Sequence, residues 1–298
     1  MAQSPIIFDR DLLIRRRARA AALGPATFLL DRVAADLADR VSAVLRKFDL
    51  AADLGTPGDA VRRVLANVVG TMVAVDVCPM LGTDKASLMV AADLEALPIR
   101  DGVLDLAVSA LALQFVNDLP GTMAQIRHAL KPDGLFLAAL VGGQSLAELR
   151  EAFAAAEAEI EGGISPHVAP FVDVRELGAL LQRADFALPV TDVDRFIVRY
   201  ASPLALMHDL RRMGATNSLT QRRHVPLRRA TLRRMMEIYG ERFADADGRV
   251  RATFEIVWLS GWAPHENQQR PLSPGSAKMR LADALGTREA SAGERTGR

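Results

Sequence analysis

The chain has 298 residues, of which 50% are hydrophobic and 24% charged, a balance typical of one large globular domain or of one domain plus a cap. The formal net charge of +1 at pH 7 excludes a general attraction to nucleic acid, so we expect no nucleic-acid partner. No apolar run reaches the roughly 20 residues that a membrane-spanning helix needs. The most apolar stretch, residues 103–116, is interrupted by Asp105. We therefore expect no integral membrane segment.

The amino end does not resemble a secretory signal peptide, because Asp9 and Asp11 precede the basic run Arg15-Arg16-Arg17 and no apolar core follows. Its arginine- and alanine-rich composition is compatible with a mitochondrial transit peptide, but an amphipathic helix packed on the domain accounts for it better. The single cysteine, Cys78, excludes an internal disulfide and fits a reducing compartment, so we predict a cytoplasmic location. We expect Cys78 to be a small buried hydrophobic residue.

Apolar residues at spacings of three and four predict an amphipathic helix near the amino end. They are Leu29, Leu30, Val33, Leu37, Val41, Val44 and Leu45. Short apolar runs then alternate with helical segments, which is the pattern of strands buried on both faces of a parallel sheet. The runs are residues 48–54, 72–77, 88–92, 104–111 and 135–141. Alternating strands and helices indicate a doubly wound α/β fold.

The segments between these runs supply the crossover helices, at residues 59–69, 119–130 and 145–160. Asp118 is placed to cap the second of them. The string Lys131-Pro132-Asp133-Gly134 predicts that this helix stops there and that a turn follows. In the third helix, Ser145 and Glu148 have the spacing of a capping box.

Beyond Ala187 the pattern changes to two long strands, at residues 190–200 and 253–262, with a helical insertion at about 201–250. The insertion is rich in arginine, which is explained either by a solvated helical face or by a basic cap over a substrate or an acidic partner. Residues 271–298 lack periodicity and are predicted to be a mobile tail. The predicted organisation is an N-terminal helical segment at 1–47, a domain at 48–270, and this tail.

Polar residues at the carboxyl ends of the predicted strands mark the candidate site, because open α/β sheets bind ligands there. The first run ends in Asp53-Leu54-Gly55, the second at Asp76, and the third is followed by Asp93-Leu94-Glu95. Glycine lets the backbone approach a ligand closely. Asp76 suits two ribose hydroxyls, and Asp93 suits an exocyclic amine. We therefore predict that three carboxylates, Asp53, Asp76 and Asp93, converge on one nucleoside-shaped cavity.

This series of acids, with Leu130-Lys131-Pro132-Asp133-Gly134 further on, resembles the motifs of class I S-adenosylmethionine (SAM) methyltransferases. The resemblance implies their seven-stranded Rossmann-like sheet, with residues 190–200 and 253–262 as the final antiparallel pair. It also implies SAM as the cofactor. The residues implied to hold SAM are Asp53, Gly55, Asp76, Asp93, Leu94 and Ser109.

Further strings resemble the complex I assembly factor 5 (arginine hydroxylase) family and its bacterial relatives, a family related to the malonyl-ACP O-methyltransferase of biotin synthesis. The resemblance implies an enzyme that acts on a protein or carrier-bound acceptor, with a respiratory complex I subunit as its partner. The strings cover about residues 6–280 and are Phe8-Asp9-Arg10, Asn117-Asp118-Leu119-Pro120, residues 142–150, Ser165-Pro166-His167 with Pro170-Phe171, and Gly261-Trp262 with Pro264-His265-Glu266.

The first glycine loop departs from the family pattern Asp-Leu-Gly-Cys-Gly-x-Gly, because Pro57 and Asp59 replace its second and third glycines. Proline removes a backbone donor, and Asp59 puts a negative charge near the expected carboxylate of SAM. Two hypotheses stay open. SAM still binds, weakly or in a shifted pose, or the site is a remnant on a non-catalytic assembly protein.

Among the histidines, His167 is the best candidate for a general base or a substrate-orienting residue, because it follows the helix after the fifth strand. A histidine bonded to a local backbone group in a turn explains it better. The histidine spacings do not fit a metal site, and there is no Gly-x-Ser-x-Gly motif, so we expect neither a bound metal nor serine hydrolase chemistry.

Overall fold

The computed structural model describes residues 6–77, 88–268, 283 and 285–287 of the 298-residue chain. Its strands are β1 (Phe48–Leu54), β2 (Val69–Asp76), β3 (Leu88–Ala91), β4 (Leu104–Ala110), β5 (Leu130–Val141), β6 (Ala187–Tyr200) and β7 (Val250–Trp262). Its helices are α1 (Arg10–Ala22), α2 (Phe28–Ser42), α3 (Ala60–Leu65), α4 (Leu119–Ala129), α5 (Ala147–Glu161), α6 (Val174–Arg183), α7 (Pro203–Arg212) and α8 (Arg229–Phe243). The described residues up to Pro264 belong to one compact unit, and those from His265 onward belong to a second.

The strands form one sheet in the order β3-β2-β1-β4-β5-β7-β6. Neighbours from β3 to β5 are parallel, whereas β7 runs antiparallel to both β5 and β6. This arrangement confirms the predicted doubly wound α/β fold and its final antiparallel pair. Strand order reverses between β1 and β4, so a ligand site is expected beyond the carboxyl ends of these two strands.

The predicted amphipathic helix near the amino end is confirmed as α2, whose buried stripe includes Val33 and Leu37. These side chains belong to the same apolar cluster as Phe48 of β1. The prediction extended the stripe to Leu45, but the helix ends at Ser42 and Leu45 is 95% exposed. Both α1 and α2 lie in the same compact unit as the sheet.

The capping prediction for α4 is confirmed, because the Asp118 carboxylate accepts a hydrogen bond from Gly121 N at 3.0 Å. The helix also stops close to the predicted place, at Ala129, but β5 begins directly at Leu130. Asp133 has a φ of 64°, and the pairing register between β4 and β5 shifts around it. The predicted turn is therefore accommodated as an irregularity at the start of β5.

The predicted capping box at the start of α5 is wrong. Ser145 Oγ donates to the Glu255 carbonyl at 3.0 Å and accepts from Glu255 N at 2.8 Å, while the Glu148 carboxylate accepts from the Thr253 hydroxyl. The residue before the helix is Leu146, which has a φ of 55°. Ser145 and Glu148 therefore form hydrogen bonds with residues of β7 instead of with the first turn of α5. These bonds attach the start of α5 to the sheet.

The segment before α1 is attached to the helical insertion between β6 and β7. Phe8 forms an antiparallel bridge with Leu219, and Asp9 N donates to the Ser218 carbonyl at 2.8 Å. The Asp9 carboxylate also caps α1 by accepting from Leu12 N. α1 is therefore anchored at its beginning to the insertion that contains α7 and α8.

Two predictions concern residues outside the described ranges. These are the buried position of Cys78 and, apart from residues 283 and 285–287, the mobile tail at 271–298. Within the described ranges, no helix has the length and apolar character needed to cross a membrane. In the same ranges, no group of three or more His, Cys, Asp or Glu side chains is arranged to hold a metal ion.

Candidate functional site

A cavity of about 450 Å³ lies at the carboxyl ends of β1, β2 and β4. Its strand-end region is formed by residues that follow these strands and β3, namely Gly55, Pro57, Gly58, Asp76, Leu94 and Glu95. Its cap region is formed by α5, the segment after α5 and the insertion, and includes Leu149, Phe153, His167, Met213, Thr216 and Ser218. Side chains of α1, among them Arg10, Arg16 and Arg17, complete the wall.

The turn after β1 brings backbone to the cavity at Gly55. This residue has a φ of +74°, and a Cβ added to it would lie 2.7 Å from Leu94 Cδ1. The left-handed backbone therefore favours glycine, and any larger residue would also displace the Leu94 side chain. Two of the residues predicted to hold a cofactor, Gly55 and Leu94, thus lie side by side in the strand-end region.

Asp76, at the end of β2, also lines the strand-end region and is 8% exposed. Arg17 of α1 donates to both of its carboxylate oxygens, from Nη1 at 3.0 Å and from Nη2 at 2.6 Å. The same Nη2 donates to the Gly55 carbonyl at 3.2 Å. A bidentate, charge-assisted contact between groups with little solvent exposure is strong. The Arg17 guanidinium thus lies at the position where the sequence predicts a ribose.

Asp93 does not line the cavity, but its neighbour Glu95 does. Arg10 of α1 forms ion pairs with both acids, with Asp93 and, at 3.3 Å, with Glu95. Arg10 and Arg17 are seven residues apart, which is two helical turns, so both extend from one face of α1. The carboxylates that follow β2 and β3 are thus both paired with arginines of α1.

Asp53 and Ser109, which are predicted to contact a cofactor, are not among the residues that line the cavity. Asp53 is 1% exposed and pairs at 2.9 Å with Arg62, itself buried in α3. Ser109 is fully buried, and its hydroxyl donates to the Leu54 carbonyl at 2.7 Å. Of the three carboxylates predicted to converge, Asp76 lines the cavity, whereas Asp53 pairs with Arg62 and Asp93 pairs with Arg10. A ligand shared by all three stays a prediction.

The two residues that depart from the family pattern in the glycine loop, Pro57 and Asp59, are placed differently. Pro57 and Gly58 line the cavity, but Asp59 does not. Asp59 instead pairs with Arg63 of α3 at 3.0 Å, four residues further along the chain. The negative charge that was predicted to lie near the carboxylate of SAM is therefore paired with an arginine that does not line the cavity.

His167 lines the cap region and is held by α5. Its Nε2 lies 2.8 Å from Glu157 Oε1, and its ring stacks on Phe153 with centroids 3.9 Å apart. The predicted alternative, a bond to local backbone, is therefore not the one observed. Burial raises the pKa of Glu157, but hydrogen bonds from Ser165 and His167 outweigh burial and hold the pKa below its usual value. Glu157 is thus a carboxylate that orients the imidazole.

Most arginines of the insertion have acidic partners, which favours a structural role over a basic cap. Arg222 pairs with Asp9 at 3.1 Å, and Arg223 pairs with Glu161 at 2.8 Å. Further pairs of this kind join Arg212 to Asp209, Arg228 to Glu161, Arg233 to Glu237, and Arg234 to Glu159, Glu237 and Glu241.

The site residues missed from the sequence are Arg10, Arg17, Glu95 and Glu157. A signal existed for the two arginines, since a separation of seven in a helical segment places them on one face. Glu95 directly follows a residue that was selected. Glu157 carried no signal, because its partner His167 lies beyond the end of its helix.

Comparisons with known proteins agree with this geometry. A family model described as a methyltransferase domain matches residues 52–138. A Bacillus halodurans protein assigned as a methyltransferase has the same fold, with a TM-score of 0.53 at 14% identity over 76% of this chain and 99% of that one. Together with the sheet order, these matches define the class: the fold is that of the class I SAM-dependent methyltransferases.

Sequence relatives narrow the class to a family. The chain is 37% identical to the mitochondrial arginine-hydroxylase NDUFAF5 of Danio rerio, over 93% of this chain and 89% of that protein. The chain belongs to the NDUFAF5 family, as the sequence motifs predicted. It is also 38% identical to the malonyl-[acyl-carrier protein] O-methyltransferase of Laribacter hongkongensis, over 64% of this chain and 62% of that enzyme.

The burial of Asp53 makes a prediction about stability and pH. Burial raises the pKa of Asp53 from 3.8 to about 6, although Thr56 and Arg62 oppose the shift. The folded state therefore binds this proton more tightly than the unfolded state, and the resulting stabilisation is lost as the pH rises from about 4 through about 6. Asp53→Asn should gain stability relative to the wild type over that interval, by on the order of 3 kcal/mol.

Urea unfolding of both proteins at pH 4.5, 6 and 7.5 measures this difference. The exposed Asp39 provides a matched control, and the stability of Asp39→Asn relative to the wild type should stay level across the series. An Asp53→Asn difference that is equally level would contradict a raised pKa at Asp53.

Proposed function

We propose that this protein binds SAM in the strand-end region, modifies a protein or carrier-bound acceptor in the cap region, and serves respiratory complex I assembly. The observation that carries the proposal is that Asp76 and His167 line one continuous cavity. A cofactor residue and an oriented imidazole therefore face the same space. The NDUFAF5 relatives are named mitochondrial, and a cytoplasmic location for this chain stays a prediction.

The residues of the strand-end region fit SAM. The Asp76 carboxylate is suited to accept hydrogen bonds from two ribose hydroxyls, and Leu94 offers an apolar surface to an adenine. Gly55 leaves room for close approach because no side chain projects from it. SAM supplies an electrophilic methyl group when it is bound. The protein contributes the placement of the acceptor in line with that group, and such placement accounts for much of the rate in methyl transfer.

Arg17 must move, or share Asp76, before a ribose can bind there. Both oxygens of Asp76 accept from Arg17, and Asp93 and Glu95 pair with Arg10. The same contacts favour a second function, that of a non-catalytic assembly protein. In such a protein, the arginines of α1 would stay paired with the acids that a nucleoside would otherwise contact. The two functions differ in whether SAM displaces Arg17.

We further propose that His167 orients the acceptor or accepts its proton. A carboxylate can only accept hydrogen bonds, so His167 Nε2 donates to Glu157. In a neutral ring, that bond places the proton on Nε2 and leaves a lone pair on Nδ1. Stacking on Phe153 fixes the plane of the ring. An imidazole restrained in this way matches the usual arrangement of a general base and its orienting carboxylate.

SAM binding should depend on Asp76 and not on Asp59. Asp76→Asn should weaken SAM binding at least tenfold, because hydrogen bonds to a charged group contribute about 1.5–3 kcal/mol. Asp59→Asn is the matched control, since Asp59 pairs with Arg63 outside the cavity, and its affinity should stay within twofold of the wild type. Isothermal titration measures both. An absence of heat from the wild type with millimolar SAM would support the non-catalytic function instead.

Arg17→Met should strengthen SAM binding, because it removes the cation that competes with ribose for Asp76. Arg15→Met, at an exposed position of the same helix, should leave the affinity unchanged. The same titrations compare the two variants. Weaker binding by Arg17→Met would mean that the arginine belongs to the cofactor site and does not compete with the ligand.

His167→Gln should reduce product formation at least tenfold while SAM affinity stays within twofold, because glutamine keeps a donor toward Glu157 but cannot take up a proton. The measurement uses a deletion strain complemented with wild type, Asp76→Asn or His167→Gln. Mass spectrometry of respiratory-chain subunits then identifies a modification that deletion removes and the wild type restores. Lost complex I assembly with unchanged modifications would show that the protein acts without catalysis.

A further inference from the structure

The segment before α1 is attached to the sheet as well as to the insertion. Asn117, which lies between β4 and α4, accepts hydrogen bonds on its side-chain Oδ1 from Ile7 N and from Phe8 N, both at 2.8 Å. Its Nδ2 donates to the Phe8 carbonyl at 3.3 Å. Phe8 is buried, and its ring meets the Phe115 ring edge to face, with centroids 5.7 Å apart. One amide side chain thus holds the backbone of two consecutive residues.

Asn117 also acts on α1 through Glu95. Its backbone N–H donates to Glu95 Oε1 at 2.8 Å, and the same oxygen lies 3.3 Å from Nη1 of Arg10, the first residue of α1. Asn117 itself is not among the residues that line the cavity. It therefore restrains the start of α1 through both its side chain and its main chain, from a position outside the cavity.

Polar contacts of this kind matter for α1 because the helix has little apolar packing. Of its 13 residues, Ala20 alone is buried. None of its side chains belongs to the two apolar clusters that the described residues form. By contrast, six of the 15 residues of α2 are buried, and all six belong to one of these clusters. Elements with few buried apolar contacts open at a lower free energy than the core, so α1 is expected to open before the rest of the domain unfolds.

The two ends of α1 are held in different ways. Just past its last residue, the Gly24 carbonyl accepts from Arg212 Nε at 2.7 Å, and Ala26 N donates to the Arg212 carbonyl at 3.2 Å. Arg212 belongs to α7, whose Leu206 and Leu210 are part of the core. Gly24 has a φ of +79°, and a glycine in a short connection is a suitable hinge. The end of α1 is thus fixed to a buried helix, and its start is the part that can lift away from the cavity.

We propose that Asn117 is a positioning residue that holds α1 closed over the strand-end region and thereby limits how fast SAM enters and leaves. The inference rests on the proposed function, in which a ribose binds Asp76 only when Arg17 moves or shares that carboxylate. Release of residues 7–8 by Asn117 lets the start of α1 lift and takes Arg17 with it. The same hydrogen bonds form again once SAM is bound. Asn117 therefore changes the rates of SAM binding and not its equilibrium.

Hydrogen exchange of the full chain without SAM measures the opening of α1 directly. In Asn117→Ala, the amides of residues 7–22 should exchange about tenfold faster than in the wild type, because three hydrogen bonds are lost and a typical one changes an equilibrium by roughly two- to tenfold. The amides of α2 and β5 should exchange as in the wild type, which shows that the variant is folded.

Two further variants separate the effect of Asn117 from a general loosening of the segment. Asn117→Asp keeps an acceptor for Ile7 N and Phe8 N, so its exchange should stay within about threefold of the wild type. Thr220→Val is the matched control. The Thr220 hydroxyl donates to the Ile6 and Ile7 carbonyls from the insertion and not from the sheet. Its loss should change exchange in residues 7–22 less than about twofold.

Surface plasmon resonance with the full chain immobilised and SAM in solution measures the consequence for the ligand. Asn117→Ala should raise the association and the dissociation rate constants by about tenfold each, and the Kd should stay within about twofold of the wild type. A merely structural role for Asn117 would instead raise the dissociation rate alone and weaken binding.

The outcomes separate this inference from the proposed function. Unchanged exchange of residues 7–22 in Asn117→Ala, or an equal acceleration in Thr220→Val, would overturn the role of Asn117. So would a weakened affinity with an unchanged association rate. An absence of SAM binding by the wild type would contradict the proposed function, and the role of Asn117 in holding α1 closed would then be decided by hydrogen exchange alone.

Discussion

The ion pair between Arg17 and Asp76 organises the carboxyl end of the sheet. Both side chains are little exposed, at 12% and 10%, so removal of either charge would strand the other in a poorly solvated place. The same guanidinium donates to the Gly55 carbonyl and so joins α1 to the turn after β1. One guanidinium of α1 therefore contacts both the end of β2 and the turn after β1.

Two acids at the ends of neighbouring parallel strands have different partners and different surroundings. Asp53 is paired behind the cavity wall with Arg62, whereas Asp76 faces the cavity and an arginine of another helix. One carboxylate therefore contributes to packing beneath the loop, and the other contributes to the site. In the altered loop, Pro57 lines the cavity, while the Asp59 carboxylate is paired with Arg63.

The fold was accessible from sequence because hydrophobic periodicity is a local signal. The continuous apolar runs identified β1 and β4, and the stripe through Val33 and Leu37 identified α2. The site was accessible only in part. A carboxylate after a strand can be located from sequence, but its partner is set by packing, and nothing near Asp53 distinguishes it from Asp76. The capping-box prediction was wrong for the same reason, because Ser145 and Glu148 form hydrogen bonds with residues of β7 that lie more than one hundred positions further along the chain.

The short bridge between Phe8 and Leu219 has a mechanical consequence. It joins the segment before α1 to the stretch of the insertion that carries Ser218, so a displacement of the start of α1 would act on that stretch as well. A movement of α1 that separates Arg17 from Asp76 would therefore also displace the part of the cap region that the insertion forms. The strand-end region and the cap region of the cavity would then change shape together.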